Sequence, residues 1–104
     1  MSELVFFVMM GNYEEAKKLA RTLVELNVAA CVNIVPNIYS IYEWKGNVEE
    51  DEEYLLLIKT TEEKSDSLIE EVKKRHSYEV PECIGFKIDK GLPAYLQWIR
   101  NVVK

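Results

Sequence analysis

The sequence has one histidine, two cysteines and fewer basic than acidic residues. Cys31 and Cys83 are far apart and belong to no CxxC-type motif, which excludes the ligand spacing of a structural zinc site. The net charge of -5 creates a field that repels phosphate backbones. We therefore expect no nucleic acid partner.

Long hydrophobic runs are also lacking. The apolar run at 4–10 is too short to cross a bilayer, and Glu3 occupies a position where a secretory signal carries Lys or Arg. We therefore expect a soluble, cytoplasmic protein that does not enter the membrane. With 104 residues and 48% hydrophobic content, the chain suits one domain, 1–104, with one core.

The first half of the chain predicts a strand, a helix and a long hairpin. The apolar run at 4–10 suits a buried strand, and Asn12 and Glu15 then form a capping-box-like helix start. The stretch VAACVNIVPNIYSIYEWKGN is rich in β-branched and aromatic residues, and Pro36 predicts a bulge or bend in it. The run EYLLLIKT resumes the strand pattern after a turn at 46–47, so 38–60 should form one hairpin.

The second half predicts a helix, a strand and a terminal helix. Thr60, three residues before Glu63, predicts the start of the second helix. The stretch ECIGFKID alternates, which predicts a strand that buries Ile84, Phe86 and Ile88 on one face. The segment after Pro93 has apolar residues at helical spacing.

The order β-α-β-β-α-β plus a helix predicts the α+β, ferredoxin-like fold. Right-handed crossovers give an antiparallel sheet with the order 4-1-3-2. This topology brings 9–10, 44–47 and 76–82 to one end of the domain. It also separates the two cysteines by about 14 Å, which excludes an intrachain disulfide.

Three segments resemble the CutA family of divalent-cation tolerance proteins: the hairpin VAACVNIVPNIYSIYEWKGNVEEDEEYLLLIKT, then HSYEVPE, then GLPAYLQWI. The resemblance covers nearly the whole chain. It implies a ferredoxin-like fold similar to the PII signalling proteins, a homotrimer, and binding of divalent metals, copper especially, in a response to metal ions. The family's cysteine beside strand 1 is absent, and VMMGN stands there instead.

A partner chain is also favoured by the hairpin itself. Tyr42 and Trp44 point to one face and Tyr39 and Ile41 to the other, and the two helices of one domain cannot cover both faces. A neighbouring chain is therefore the expected cover. Tyr95 and Trp98 match the family's Tyr-x-x-Trp, and we interpret them, with Tyr42 and Trp44, as interface residues. For Tyr95 and Trp98 a place in the core is also open, and the alternative to both is a ligand stack.

The stretch HSYEVPEC, at 76–83, carries the strongest candidate for a metal ligand, His76. Weaker candidates are Met9, Met10, Glu79 and Cys83, whose thioether, carboxylate and thiolate groups suit copper or another divalent cation. No organic cofactor is implied. Because few ligands of one chain converge, we expect the others to come from the strand 1 exit or from another subunit.

Three other interpretations of this end remain open. His76 could instead interact favourably with the C-terminal end of the second helix. Catalysis needs a base, a nucleophile and an orienting group, and the third is not evident, so we expect no enzyme. A PII-like regulatory module, which binds a small molecule or a partner protein at clefts between subunits, is the alternative function.

The acidic run EEDEE, 49–53, is expected to be a solvated edge.

Overall fold

We describe the protein from a computed structural model, which covers residues 2–104. Four strands and three helices follow one another along the chain. In order they are β1 (Glu3–Met10), α1 (Tyr13–Glu25), β2 (Cys31–Trp44), β3 (Asn47–Thr61), α2 (Ser65–Arg75), β4 (Cys83–Lys87) and α3 (Pro93–Val102).

The four strands form one antiparallel sheet with the order β2-β3-β1-β4. This is the sheet order predicted for a ferredoxin-like fold, which is thereby confirmed. β2 and β4 lie at opposite edges, and Cys31 and Cys83 are unpaired, as predicted. No helix within residues 2–104 is both long enough and apolar enough to cross a bilayer.

The main core lies between one face of the sheet and helices α1 and α2. Asn12 caps α1 as predicted, because its Oδ1 accepts a hydrogen bond of 3.0 Å from the Glu15 N–H. The apolar stripe of α1 packs on alternate residues of β1 and β3. The fully buried members of this core include Val8, Ala16, Leu23, Leu56, Ile58, Leu68 and Val72.

The predicted start of the second helix at Thr60 is wrong. Thr60 is buried within β3, and its Oγ1 donates a hydrogen bond of 2.7 Å to the Val28 carbonyl oxygen. A short 3-10 turn, Glu62–Lys64, follows β3, and α2 begins only at Ser65. The tertiary contact to Val28 therefore replaces the cap.

The predicted buried face of β4 is also wrong. Cys83 and Gly85 face the helices, while Ile84 and Phe86 point to the other face of the sheet and are 49% and 50% exposed. Gly85 is needed here, because a Cβ at this position would lie 2.7 Å from Cζ of Phe6. Ile88 lies just outside β4 and contacts the cluster under α3.

Helix α3 packs at the end of the sheet where β1 begins. Ile99, Val103 and Ala30 form a second apolar cluster there. Arg100 Nη1 also lies 2.7 Å from Oε2 of Glu3, a residue that is only 6% exposed. This pair attaches α3 to β1.

The outer part of the β2-β3 hairpin, Ile38 to Glu53, projects from the domain and is called the arm here. The strand register shifts between Val35 and Ile38, which confirms the bulge predicted at Pro36, and Asn37 has a φ of 64°. Because of this projection the molecule measures 44 × 25 × 22 Å. The arm thus reaches beyond the cover that the helices provide.

Candidate functional site

Three segments meet at the end of the sheet opposite α3: the end of β1, the tip of the arm and the α2-β4 loop. His76 Nε2 lies 2.6 Å from the Met9 carbonyl oxygen, and Lys45 Nζ lies 3.8 Å from Oε1 of Glu79. The predicted meeting of these segments is therefore confirmed. We call this region the acidic end, since most of its charged side chains are carboxylates.

His76 is half-buried, and both of its ring nitrogens bond the backbone. Nδ1 accepts a hydrogen bond of 3.1 Å from the Tyr78 N–H. Nε2 faces the Met9 carbonyl oxygen, which can only accept, so Nε2 must carry the proton. In this arrangement the ring has no free lone pair for a metal, and it joins the α2-β4 loop to β1.

The other predicted metal ligands do not converge within one chain. Met10 is buried in the main core, and Cys83 packs against that core from β4. Burial raises the pKa of the Cys83 thiol to about 11, which disfavours the thiolate that metals bind. Met9 and Glu79 reach the acidic end, but within residues 2–104 no three His, Cys, Asp or Glu side chains are grouped so that they could hold a metal ion.

Glu53 and Tyr78 are central to the acidic end, although neither was predicted as a site residue. Glu53 is only 7% exposed, so the expectation that the whole run 49–53 is a solvated edge is wrong. The Tyr78 hydroxyl donates a hydrogen bond of 2.7 Å to its Oε2. The advance signal was strand alternation, which places Glu53 on the same face as Leu55, just before Tyr54, the first residue of β3 that pairs with β1.

Several contacts fix the Tyr78 ring. It packs beside the His76 ring, with centroids 4.6 Å apart. It also approaches Gly11 so closely that a Cβ there would lie 2.6 Å from the hydroxyl oxygen. Burial, followed by the hydrogen bond to Glu53, raises the pKa of Tyr78 well above 10. The hydroxyl therefore stays protonated and continues to donate at neutral pH.

The arm presents two different faces. Tyr42 and Trp44 lie on the inner face with Asp51 and Glu53, because Tyr42 pairs with Glu49 and every second residue of each strand shares that face. The Tyr42 hydroxyl donates to the Asp51 carboxylate, and this bond is the main cause that raises the pKa of Tyr42 to about 12.

On the outer face of the arm, the Tyr39 hydroxyl donates a hydrogen bond of 2.8 Å to Oε1 of Glu50. The two faces thus carry similar tyrosine-carboxylate pairs. Only the inner pair borders a cleft of about 860 Å³ between the arm and the α2-β4 loop.

The four predicted interface residues are all partly exposed in the single chain. Tyr42, Trp44, Tyr95 and Trp98 have exposed fractions of 38–41%. The Tyr95 and Trp98 rings stack on α3 with centroids 5.5 Å apart, outside the main core. Their role in an interface stays a prediction.

A further apolar surface lies on the sheet face away from α1 and α2, which we call the open face. Phe86 packs edge-on against Phe7, with ring centroids 5.1 Å apart. Other members of this face are Val5, Met9, Leu55, Leu57 and Ile84, all half-buried or exposed in the single chain. None of these residues belongs to the main core under α1 and α2.

The fold and the acidic end define a small ferredoxin-like protein with an elongated hairpin arm and an apolar open face. Comparison with known proteins identifies its family. The chain belongs to the CutA1 divalent ion tolerance protein family, whose model matches residues 4–102.

Individual relatives agree with this family. The chain is 50% identical to the protein CutA homolog of Xenopus laevis over 97 residues, which is 93% of this chain and 64% of that protein. It is 47% identical to the divalent-cation tolerance protein CutA of Thermus thermophilus, covering 95% and 96% of the two chains. The crystal structure of CutA1 from Oryza sativa superposes with a TM-score of 0.96 at 44% identity, covering 100% of this chain and 95% of that one.

The relatives differ in length. The chain spans 55% of the mouse protein CutA, with which it shares 47% identity over 98 residues, and less than two thirds of the Xenopus protein. The match to the Thermus protein, by contrast, spans nearly all of both chains.

Proposed function

We propose that this protein has a role in divalent-cation tolerance, and that it acts as a homotrimer that binds divalent cations at the acidic end. The single observation that carries this proposal is the meeting of the arm, the α2-β4 loop and β1 around the buried carboxylate of Glu53. The names of its relatives supply the biological context. The proposed action is binding, without catalysis.

The trimer is supported by two uncovered surfaces of the single chain. The arm lies beyond the helices, and the open face exposes half of Ile84 and Phe86. A contiguous apolar surface of this kind is typical of a protein interface. Because β2 and β4 present free edges at opposite sides of the sheet, repeated contacts of one sense can close into a ring.

We place the cation between chains, because the donors of one chain do not form a complete site. Glu79 and Glu82 are exposed in the α2-β4 loop and can supply oxygen ligands. Coordination by His76, the sequence-based candidate, requires that one of its two backbone hydrogen bonds open. Copper is the metal that the family resemblance favours, and Met9 can add a thioether.

Calorimetry with Cu(II) and Zn(II) tests this proposal. We expect the wild type to bind each metal ion saturably. The His76→Ala and Glu82→Gln variants should each bind the metal ions more weakly. Glu63→Gln serves as the matched control, because Glu63 is an exposed carboxylate in the turn before α2. Equal, millimolar binding by the wild type and all three variants would contradict a site at the acidic end.

The location and the assembly are tested separately. We propose a cytoplasmic protein, and the two unpaired thiols at Cys31 and Cys83 suit a reducing compartment. Cell fractionation tests this location, and recovery from an oxidising compartment would contradict it.

The assembly is tested by light scattering, which should give about three times the chain mass of 12.1 kDa. A monomer mass at micromolar concentration would contradict the trimer.

The cleft between the arm and the α2-β4 loop favours a second candidate function. Its volume of about 860 Å³ is within the range of small-molecule sites, and its walls combine aromatic rings with carboxylates. A regulatory module that binds a small organic ligand there is therefore the alternative. Such a ligand would bind with no requirement for a metal.

A further inference from the structure

The two exposed carboxylates proposed above as cation ligands, Glu79 and Glu82, lie in the α2-β4 loop, 76–82. Glu79 has an ion pair with Lys45, but the two charged atoms are 3.8 Å apart and the side chains of Lys45 and Glu79 are 67% and 70% exposed. Such a surface pair holds a side chain only weakly. The backbone of the loop therefore decides where the two carboxylates point.

The part of the loop that joins these two glutamates is stiff. Pro81 fixes its own φ at about −65°, because its side chain forms a ring with the backbone nitrogen. The residue before a proline is held in extended conformations, and here that residue is Val80. Few free rotations are therefore left between Glu79 and Glu82. An anchor at the start of the loop then also orients both carboxylates.

The start of the loop is bonded to three different elements through three successive residues. His76 bonds the end of β1, and Tyr78 bonds Glu53 on β3. Between them, Ser77 Oγ donates a hydrogen bond of 3.0 Å to Oε1 of Glu15 in α1. Neither Ser77 nor Glu15 belongs to the arm or to the open face. This third contact therefore lies apart from the surfaces assigned to the subunit interface.

Glu15 is a well-placed acceptor, because it lies in the capped first turn of α1. Its N–H donates a hydrogen bond of 3.0 Å to Oδ1 of Asn12, which fixes its backbone. In a capping box, a glutamate at this position turns its side chain back to the N–H of the cap residue. Here Oε1 of Glu15 accepts the hydrogen bond from Ser77 instead. The fixed start of the helix is thereby connected to the loop.

We propose that Ser77 is a positioning residue of the cation site: its hydrogen bond to Glu15 holds the loop from the helix side and so orients Glu79 and Glu82. Ser77 does not itself contact the cation. Ligands that are already oriented bind a cation more tightly, because less conformational freedom is lost on binding. The inference rests on the proposed function and names a residue that tunes the same site.

The substitution Ser77→Asp separates a positioning role from a simple effect of charge. An added negative charge near a cation site attracts the cation, so a charge effect alone would strengthen binding. An aspartate at position 77 would also face the carboxylate of Glu15 and repel it, which moves the loop away from α1. We therefore expect calorimetry to show that Ser77→Asp binds Zn(II) about threefold to tenfold more weakly than the wild type.

The variant Glu15→Gln supplies the rescue. Its amide oxygen still accepts from Ser77, so alone it should change the affinity for Zn(II) by less than about twofold. Combined with Ser77→Asp, its amide N–H donates to the new carboxylate, and the double variant should recover most of the lost affinity. Ser67→Asp is the matched control, because Ser67 is an exposed serine in the first turn of α2, at the other end of that helix from the loop. It should bind Zn(II) like the wild type.

Backbone order in the metal-free protein gives a second readout. NMR order parameters of the Glu79, Val80 and Glu82 amides should fall in Ser77→Asp and return in the double variant, because they report fast motion of the loop itself. Those of α1 and of the strands should stay unchanged. Circular dichroism of all variants verifies that they fold.

Each other outcome contradicts a defined part of the account. Equal or stronger Zn(II) binding by Ser77→Asp, no recovery in the double variant, or a loss of order throughout the chain would overturn the positioning role. A wild type that binds Zn(II) saturably, with affinity unchanged in every variant, refutes this inference alone. A wild type that binds no divalent cation refutes the proposed function and this inference together.

Discussion

The substitution Tyr78→Phe isolates the hydrogen bond that holds the α2-β4 loop against the arm. It removes one hydroxyl, which donates over 2.7 Å to Oε2 of Glu53, and keeps the ring that stacks on His76. Hydrogen bonds to charged groups contribute about 1.5–3 kcal/mol. Because Tyr78 is itself 38% exposed, water can replace part of this bond, and we expect a loss of about 1–2 kcal/mol of unfolding free energy.

The matched control is Tyr39→Phe on the outer face of the arm. Its hydroxyl donates to Glu50 over 2.8 Å, a bond of nearly the same length, but both residues are exposed. We expect a loss below about 0.5 kcal/mol for this variant, as is usual for polar contacts at the surface. The two variants therefore differ mainly in the burial of the acceptor.

Urea denaturation at one fixed chain concentration measures both losses, since the stability of an oligomer depends on concentration. If Tyr78→Phe loses no more stability than Tyr39→Phe, the burial of Glu53 does not strengthen its hydrogen bond. The reasoning that places Glu53 at the centre of the acidic end would then be refuted.

Three further predictions concern the packing and the titration of the fold. Gly85→Ala should lose about 1–3 kcal/mol in urea denaturation, because its Cβ would overlap the ring of Phe6, and an unchanged midpoint would contradict this. The raised pKa of Tyr78 favours its protonated form in the folded state, so the free energy of unfolding should fall as the pH rises above about 10, where tyrosine in the unfolded chain ionises. The free energy of unfolding should fall less steeply with pH in Tyr78→Phe, and equal slopes in the two proteins would refute this prediction. Because the pKa of Cys83 is about 11, about 0.1% of its side chain should be thiolate at pH 8. Cys83 should therefore react far more slowly with a thiol reagent than a free cysteine does, and equal reaction rates would count against its burial.

Local sequence patterns predicted the elements of the fold and their order. The cap at Asn12, the bulge after Pro36 and the antiparallel sheet order all follow from features that act over a few residues or from general topology rules. The meeting of the α2-β4 loop with the end of β1 followed from that topology. The contact of His76 with the Met9 carbonyl is its direct consequence.

The wrong predictions depend on contacts between distant parts of the chain. Alternation in β4 identified two faces, but it could not tell which of them the helices cover, and Gly85 is the residue that admits Phe6 on the helix side. Thr60 has the local pattern of a cap but finds a partner 32 residues away, at Val28. Glu53 belongs by composition to an exposed acidic run, but it is only 7% exposed and its carboxylate contacts Tyr78 of the distant α2-β4 loop.

The candidate ligands show the same limit in chemical terms. The sequence placed His76 among suitable donors, but it could not show that both ring nitrogens bond the backbone. Nor could it show that Cys83 turns toward the core, where burial raises its pKa. Donor identity can be read from a sequence, whereas donor availability depends on packing.

Anomalous scattering from crystals soaked with Zn(II) or Cu(II) tests the central claim most directly, because it locates the metal and identifies the chains that bind it. We predict an occupied site at the acidic end, near Glu79 and Glu82, with ligands from more than one copy of the chain. Metal found only at scattered surface carboxylates, or no ordered metal at saturating concentration, would contradict the claim.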